Sequence, residues 1–149
     1  MTAAESAPPL SFIDTNIIVY ALAKDDRDRS PVARRLIEDL GAARALCTST
    51  QVLQESFVTL TRKGAHPLSA AEALAALDRI AEFPVVTIDY AMISEAGRLS
   101  ARHSLSFWDA LILTAAARGQ AKRVYTEDLQ HGRKLMGVEI FNPFIERMR

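Results

Sequence analysis

Apolar and polar positions along this chain follow two rhythms. Short unbroken apolar runs read as buried strands, and longer stretches with apolar residues every three or four positions read as helices. The first run, Leu10–Ile13, ends on a carboxylate, Asp14, after which Thr15 or Asn16 caps a helix running to about Ala23. Residues 24–29 are a charged, solvated loop. Ser30-Pro31 reads as an N-cap with proline at the first helical position, predicting a helix over 31–40 closed by Gly41. Ala45-Leu46-Cys47 is a short buried strand. Thr48 and Gln51 have capping-box spacing, so a helix starts there and runs to Lys63, with Leu53, Phe57 and Leu60 as its apolar stripe and Gly64 as its stop.

Ser69 with Glu72 is a second capping box, opening a helix to about Glu82. Residues 84–88 form a strand that Asp89 ends, and residues 90–103 an amphipathic helix with Ile93, Ala96, Leu99 and Ala101 toward the core. Ser106 opens a helix over 107–118 whose body, from Ala110 to Ala117, is apolar nearly all round and therefore buried on most sides. Residues 123–126 form a fourth strand and 138–141 a fifth, with Asn142-Pro143 as a turn. No Asn-Gly or Asp-Gly hairpin signal occurs. Strands alternating with helices predict an α/β fold, one central parallel sheet with helices on both faces. Residues 1–9 read as a disordered tail and 10–149 as one domain, without internal repeats or linkers.

Composition narrows the function. Eighteen basic and eighteen acidic residues cancel, so no global positive field advertises nucleic acid, and such binding must come from a local patch or a metal. No apolar stretch is long enough to span a membrane, and the N-terminal residues lack the pattern of a signal peptide. The single cysteine, Cys47, lies in an apolar run and reads as a buried inert thiol, in keeping with a reducing cytoplasm.

The candidate chemistry lies in acids. In open α/β sheets the crossovers bring strand C-termini to one edge, so acids far apart in sequence can meet there. Asp14 and the Glu127-Asp128 pair follow strands, and either member of the pair could face the site. Asn16 adds an oxygen-bearing side chain beside Asp14, and the Thr126 hydroxyl can support a neighbouring acid. Glu55 and Asp109 stand in the first turns of helices. Each has a plainer explanation: Glu55 as a solvated helix acid, Asp109 as a partner of the Ser106 cap. Asp89 reads as a simple strand exit. Clustered carboxylates repel, and a hard divalent cation relieves them; Mg²⁺ and Mn²⁺ prefer such oxygen ligands. His66, His103 and His131 have no zinc-ligand spacing. Acids with Mg²⁺ are the equipment of phosphodiester hydrolysis, and no phosphate loop or Ser-His-Asp set competes. A receiver-like signalling module is a rival of another class. It would need a lysine after its last strand, and none follows 138–141.

Asp14-Thr-Asn16 after an apolar strand, Glu55 in the third helix, Ser106-Phe-Trp-Asp109-Ala before an apolar helix, and Thr126-Glu-Asp128-Leu-Gln-His-Gly132 after a strand resemble, in order and spacing, the motifs of PIN-domain ribonucleases. The chain's size resembles most the VapC-type toxins of bacterial toxin–antitoxin pairs. That resemblance implies a Mg²⁺-dependent endoribonuclease, with Mn²⁺ as substitute, built on about five strands in the order 3-2-1-4-5. Asp14 and Asp109 would be the main metal ligands, Glu55 and Asp128 would complete the catalytic acids, and Asn16 and Thr126 would support them. It also implies an RNA substrate such as tRNA or rRNA, a homodimer, a cognate antitoxin and a cytoplasmic setting. An RNA-processing nuclease without a toxin role is the alternative. Arg62, Lys63, Arg133 and Lys134 are candidates to grip flanking phosphates.

Overall fold

The computed structural model describes residues 8–145 except Lys24 and Lys63. The expected tail thus lies, over its first seven residues, outside the described region. The elements are β1 (Leu10–Ile13), α1 (Thr15–Ala23), α2 (Arg29–Ala42), β2 (Leu46–Ser49), α3 (Thr50–Arg62), α4 (Ala70–Ile80), β3 (Val85–Val86), α5 (Tyr90–His103), α6 (Phe107–Arg118), β4 (Ala121–Tyr125), β5 (Lys134–Leu135) and β6 (Val138–Phe141). The sheet order is β3-β2-β1-β4-β6-β5. All pairings are parallel except β5 with β6.

The expected 3-2-1-4-5 sheet is present, with β6 as the anticipated fifth strand and one antiparallel edge strand, β5, added beyond it. The missed hairpin turns at Met136-Gly137, where both residues take positive φ, 54° and 77°. Two consecutive left-handed residues match the hand of a tight hairpin turn, and glycine supplies only the second of them. Met-Gly is not a recognisable turn pair, so the sequence carried no signal.

The core sits on both faces of β1, where Phe12 and Ile13 are fully buried on opposite sides. Helix α6 is buried over Ala110 to Ala116, as its unbroken apolar body requires. On α3 the buried face is Gln51, Val52, Ser56 and Leu60, and Leu53 and Phe57 flank it half-buried. On α5 it is Met92, Ala96 and Leu99, with Ile93 and Ala101 exposed.

Several caps differ from expectation. Thr48 belongs to β2 and donates its hydroxyl to the Ile13 carbonyl (3.0 Å), and Ser49 Oγ accepts from Val52 N–H at the start of α3. Helix α2 starts before Ser30: Asp26 accepts the N–H groups of Asp28 and Arg29, while Ser30 donates to the Tyr20 carbonyl (2.6 Å). Gly41 lies inside α2 against the Phe83 ring, and Arg44 takes the left-handed position beyond it (φ 54°). Strand β3 keeps only two of the residues expected over 84–88. The Ser69–Glu72 capping box forms with both its bonds.

Candidate active site

Asp14 stands one residue past β1, the strand between β2 and β4. Its N–H donates to the Tyr125 carbonyl and its own carbonyl accepts from Ile17 N–H, so it links the strand end to the first turn of α1. Its side chain is only 7% exposed. Oδ1 accepts from Thr15 N–H at 2.7 Å, and Oδ2 accepts from Thr126 Oγ1 at 2.8 Å. Thr126, fully buried just past β4, also accepts from Asp128 N–H (3.1 Å) and from Asn16 Nδ2 (3.3 Å). Asn16 Nδ2 reaches Asp128 Oδ2 at 3.0 Å. One hydroxyl thus joins Asp14, Asn16 and Asp128 across two adjacent strand ends.

Burial pushes the Asp14 carboxyl up to about 6. The Thr126 and Thr15 hydrogen bonds pull against that rise, and the charges of Asp128 and Glu55 add to it. Glu55 is exposed on α3 and accepts from Gln51 Nε2 at 2.7 Å. Asp109 lies half-buried in the first turn of α6, its N–H donating to Ser106 Oγ at 3.1 Å. Among the described residues no hydrogen bond joins its carboxylate to the other acids. Topology places it nonetheless: α6 feeds β4 through Gly119-Gln120 and packs on it, so it runs back against the strand. Its N-terminus therefore points to the edge where β4 ends.

Hydrogen bonds bring together Asp14, Asn16, Thr126 and Asp128, and charge couples Glu55 to them. Asp109 shares their edge of the sheet by topology alone. Of the Glu127-Asp128 pair, Asp128 turns toward Asn16. Glu127 turns away, accepting from the Tyr20 hydroxyl and from Arg29 Nε (3.0 Å). Asp89 accepts from Met92 N–H at 2.9 Å and caps α5, the plain role expected of it. Cys47 is buried, and its thiol is pushed up to about 12 by that burial. Sequence reasoning did not single out Tyr20, Arg29 or Gln51 for this neighbourhood. Tyr20 lies within an apolar helix and Arg29 within a charged stretch, so no local pattern marked them.

The donor set suits a hard divalent cation. Asn16 Oδ1 and Gln51 Oε1 are buried without a hydrogen-bond partner, an arrangement that costs free energy unless something fills it. The buried Asp14 carboxyl would likewise be eased into its charged form by a cation. Among the described residues no three His, Cys, Asp or Glu side chains stand together as a ready cage. Carboxylate and amide oxygens are donors of the kind Mg²⁺ takes, and zinc favours nitrogen and sulfur.

The PIN domain family model matches residues 11–134, and the chain belongs to that family, whose members are nucleases that generally use divalent metals. No curated protein matches the chain in sequence. Among solved structures, the chain is similar to a protein of a toxin–antitoxin complex from Klebsiella pneumoniae, with 18% identity and a TM-score of 0.65, covering 90% of this chain and 98% of that one. It is similar to VapC20 of Mycobacterium tuberculosis, described as a sarcin-ricin-loop-cleaving toxin, with 23% identity and a TM-score of 0.62 over 79% and 89% of the two chains. DNA-bound VapBC of Salmonella typhimurium gives 17% identity and a TM-score of 0.63 over 89% and 97%. These likenesses are of fold. No helix among the described residues is long and apolar enough to cross a membrane.

Proposed function

We propose that the chain is a Mg²⁺-dependent endoribonuclease and the toxin of a toxin–antitoxin pair. The observation that carries this is the buried Asp14 carboxylate, joined by one Thr126 hydroxyl to Asn16 and Asp128 at the C-terminal edge of a parallel sheet. Family membership supports nuclease chemistry, and the fold shared with proteins of toxin–antitoxin assemblies supports the biological role.

Asp14 and Asp109 would hold Mg²⁺, with Mn²⁺ as a substitute. When bound, the cation would neutralise the clustered acids, polarise a phosphodiester and make a water acidic enough to attack it. Thr126 and Thr15 fix the two oxygens of Asp14, so its direction is set before substrate arrives. Glu55 and Asp128, both exposed, would take the proton of the attacking water. Asn16 holds Asp128 in place. The substrate would be a structured RNA such as tRNA or rRNA, and the setting the cytoplasm. An antitoxin protein would silence a homodimer.

Two assays test the proposal. Purified protein should cut a pool of structured RNAs at specific sites with Mg²⁺ and lose that activity in chelator. Expression alone should arrest growth, and Asp14→Asn should not. Metal-dependent cutting without growth arrest would leave an RNA-processing nuclease. No cutting by folded, metal-supplied protein would overturn the assignment.

A further inference from the structure

The side chain left outside the acidic network, Glu127, has an unusual set of neighbours. It lies between Thr126 and Asp128, the two residues that carry the β4 side of that network, yet it faces the other way. One carboxylate oxygen accepts from the Tyr20 hydroxyl near the end of α1. The other accepts from Arg29 Nε, at 3.0 Å, in the first turn of α2. Arg29 is fixed in turn. Its Nη1 meets Asp26 Oδ2 at 3.1 Å, and its guanidinium lies 5.6 Å from the Tyr20 ring centre and 5.9 Å from that of Phe144. Tyr20 stands edge-on to the buried Phe144 ring at 5.3 Å. Ser30 closes the group by donating to the Tyr20 carbonyl.

We infer that Glu127 is a positioning residue, an anchor that ties the turn after β4 to α1 and α2 so that Thr126 and Asp128 are held facing Asp14. The inference rests on the nuclease reading for its activity assay. The chain bends over residues 127–129, and within that bend α1 and α2 hold the Glu127 side chain while its neighbours Thr126 and Asp128 bond to Asp14 and Asn16. Both oxygens of Glu127 are engaged by donors on α1 and α2, while Asp128 turns to Asn16. Charge-assisted bonds to a planar guanidinium are strong and directional, as an anchor for a turn requires. The turn is also held by the Thr126 N–H bond to the Phe141 carbonyl and by buried Leu129.

The test uses the full chain and the RNA that the wild type cuts. Glu127→Ala should lower kcat about tenfold or more while leaving KM nearly unchanged. Glu127→Gln, which keeps an acceptor for Arg29, should recover part of the loss. Because the effect is transmitted through Asp128 and Thr126, Glu127→Ala should cost little in an Asp128→Asn background, a non-additivity that a merely structural role would not produce. A kcat within about twofold of wild type in folded Glu127→Ala, or losses that multiply independently with Asp128→Asn, would overturn the inference. A second readout is free of activity: the rise in Tm on adding Mg²⁺ should be clearly smaller in Glu127→Ala than in wild type. An equal rise in both would also overturn it. If the wild type cuts no RNA, the nuclease reading fails, and the Mg²⁺ shift alone decides the role of Glu127.

Discussion

Thr126 donates its hydroxyl to Oδ2 of Asp14 at 2.8 Å, across 112 residues of sequence, and both side chains are buried. The bond fixes one carboxylate oxygen of Asp14 and opposes the rise that burial imposes on its pKa. The same hydroxyl accepts from Asp128 N–H and Asn16 Nδ2, so three polar partners depend on a single atom.

Replacing that atom gives the first prediction. Thr126→Val keeps the shape and deletes the hydroxyl, leaving the buried Asp14 oxygen without its donor and the Asp128 N–H without its acceptor. Stability should fall by about 1–3 kcal/mol in urea denaturation. Cleavage at neutral pH should fall with it, because Asp14 becomes harder to ionise, and should recover in part at higher pH. Thr126→Ser should stay close to wild type in both.

The pH dependence of the metal-free protein follows from Asp14. Its carboxyl titrates near 3.8 when unperturbed and at about 6 when folded. Between those values the folded state still holds a proton that the unfolded chain has released. Stability is therefore fully present at low pH and is lost as pH rises through that window, by an amount of order 3 kcal/mol. Denaturation in chelator should show this loss superposed on the titration of the other acids. Asp14→Asn should remove it and be more stable than wild type near pH 7. Mg²⁺ should restore stability to the wild type alone.

Asp89 separates a structural acid from the site acids. It caps α5 through Met92 N–H. Asp89→Ala should cost about 1 kcal/mol of stability and leave cleavage of the folded protein unchanged. Substantial loss of turnover without loss of stability would give Asp89 a role at the site and contradict this assignment.

The sheet order was legible only through the resemblance to PIN-domain proteins, whereas the meeting of Asp14, Asn16, Thr126 and Asp128 was legible because strand ends in an alternating β/α chain share an edge. Local chemistry was legible where it involved only neighbours in sequence, as in the Ser69–Glu72 box. It misled where a distant group took the side chain instead: Thr48 is claimed by the Ile13 carbonyl and Ser30 by the Tyr20 carbonyl, so neither caps the helix expected of it. The choice between Glu127 and Asp128 was open for the same reason, since Tyr20 and Arg29 decide it from other elements. The β5–β6 hairpin was hidden by a Met136-Gly137 turn that lacks the usual residues. On α3, small Ser56 faces inward while larger Phe57 flanks it, which an apolar count cannot anticipate.

The most direct test of the account is cleavage of a structured RNA pool by wild type and Asp109→Asn, each with Mg²⁺ and with chelator, with the cut positions mapped. Site-specific cuts by the wild type should vanish in chelator, and Asp109→Asn should lose at least a hundredfold in rate with its fold intact (about 2.7 kcal/mol in the barrier). Cleavage by Asp109→Asn at the wild-type rate would contradict a site in which the acid opening α6 and the acid ending β1 act on the same phosphodiester.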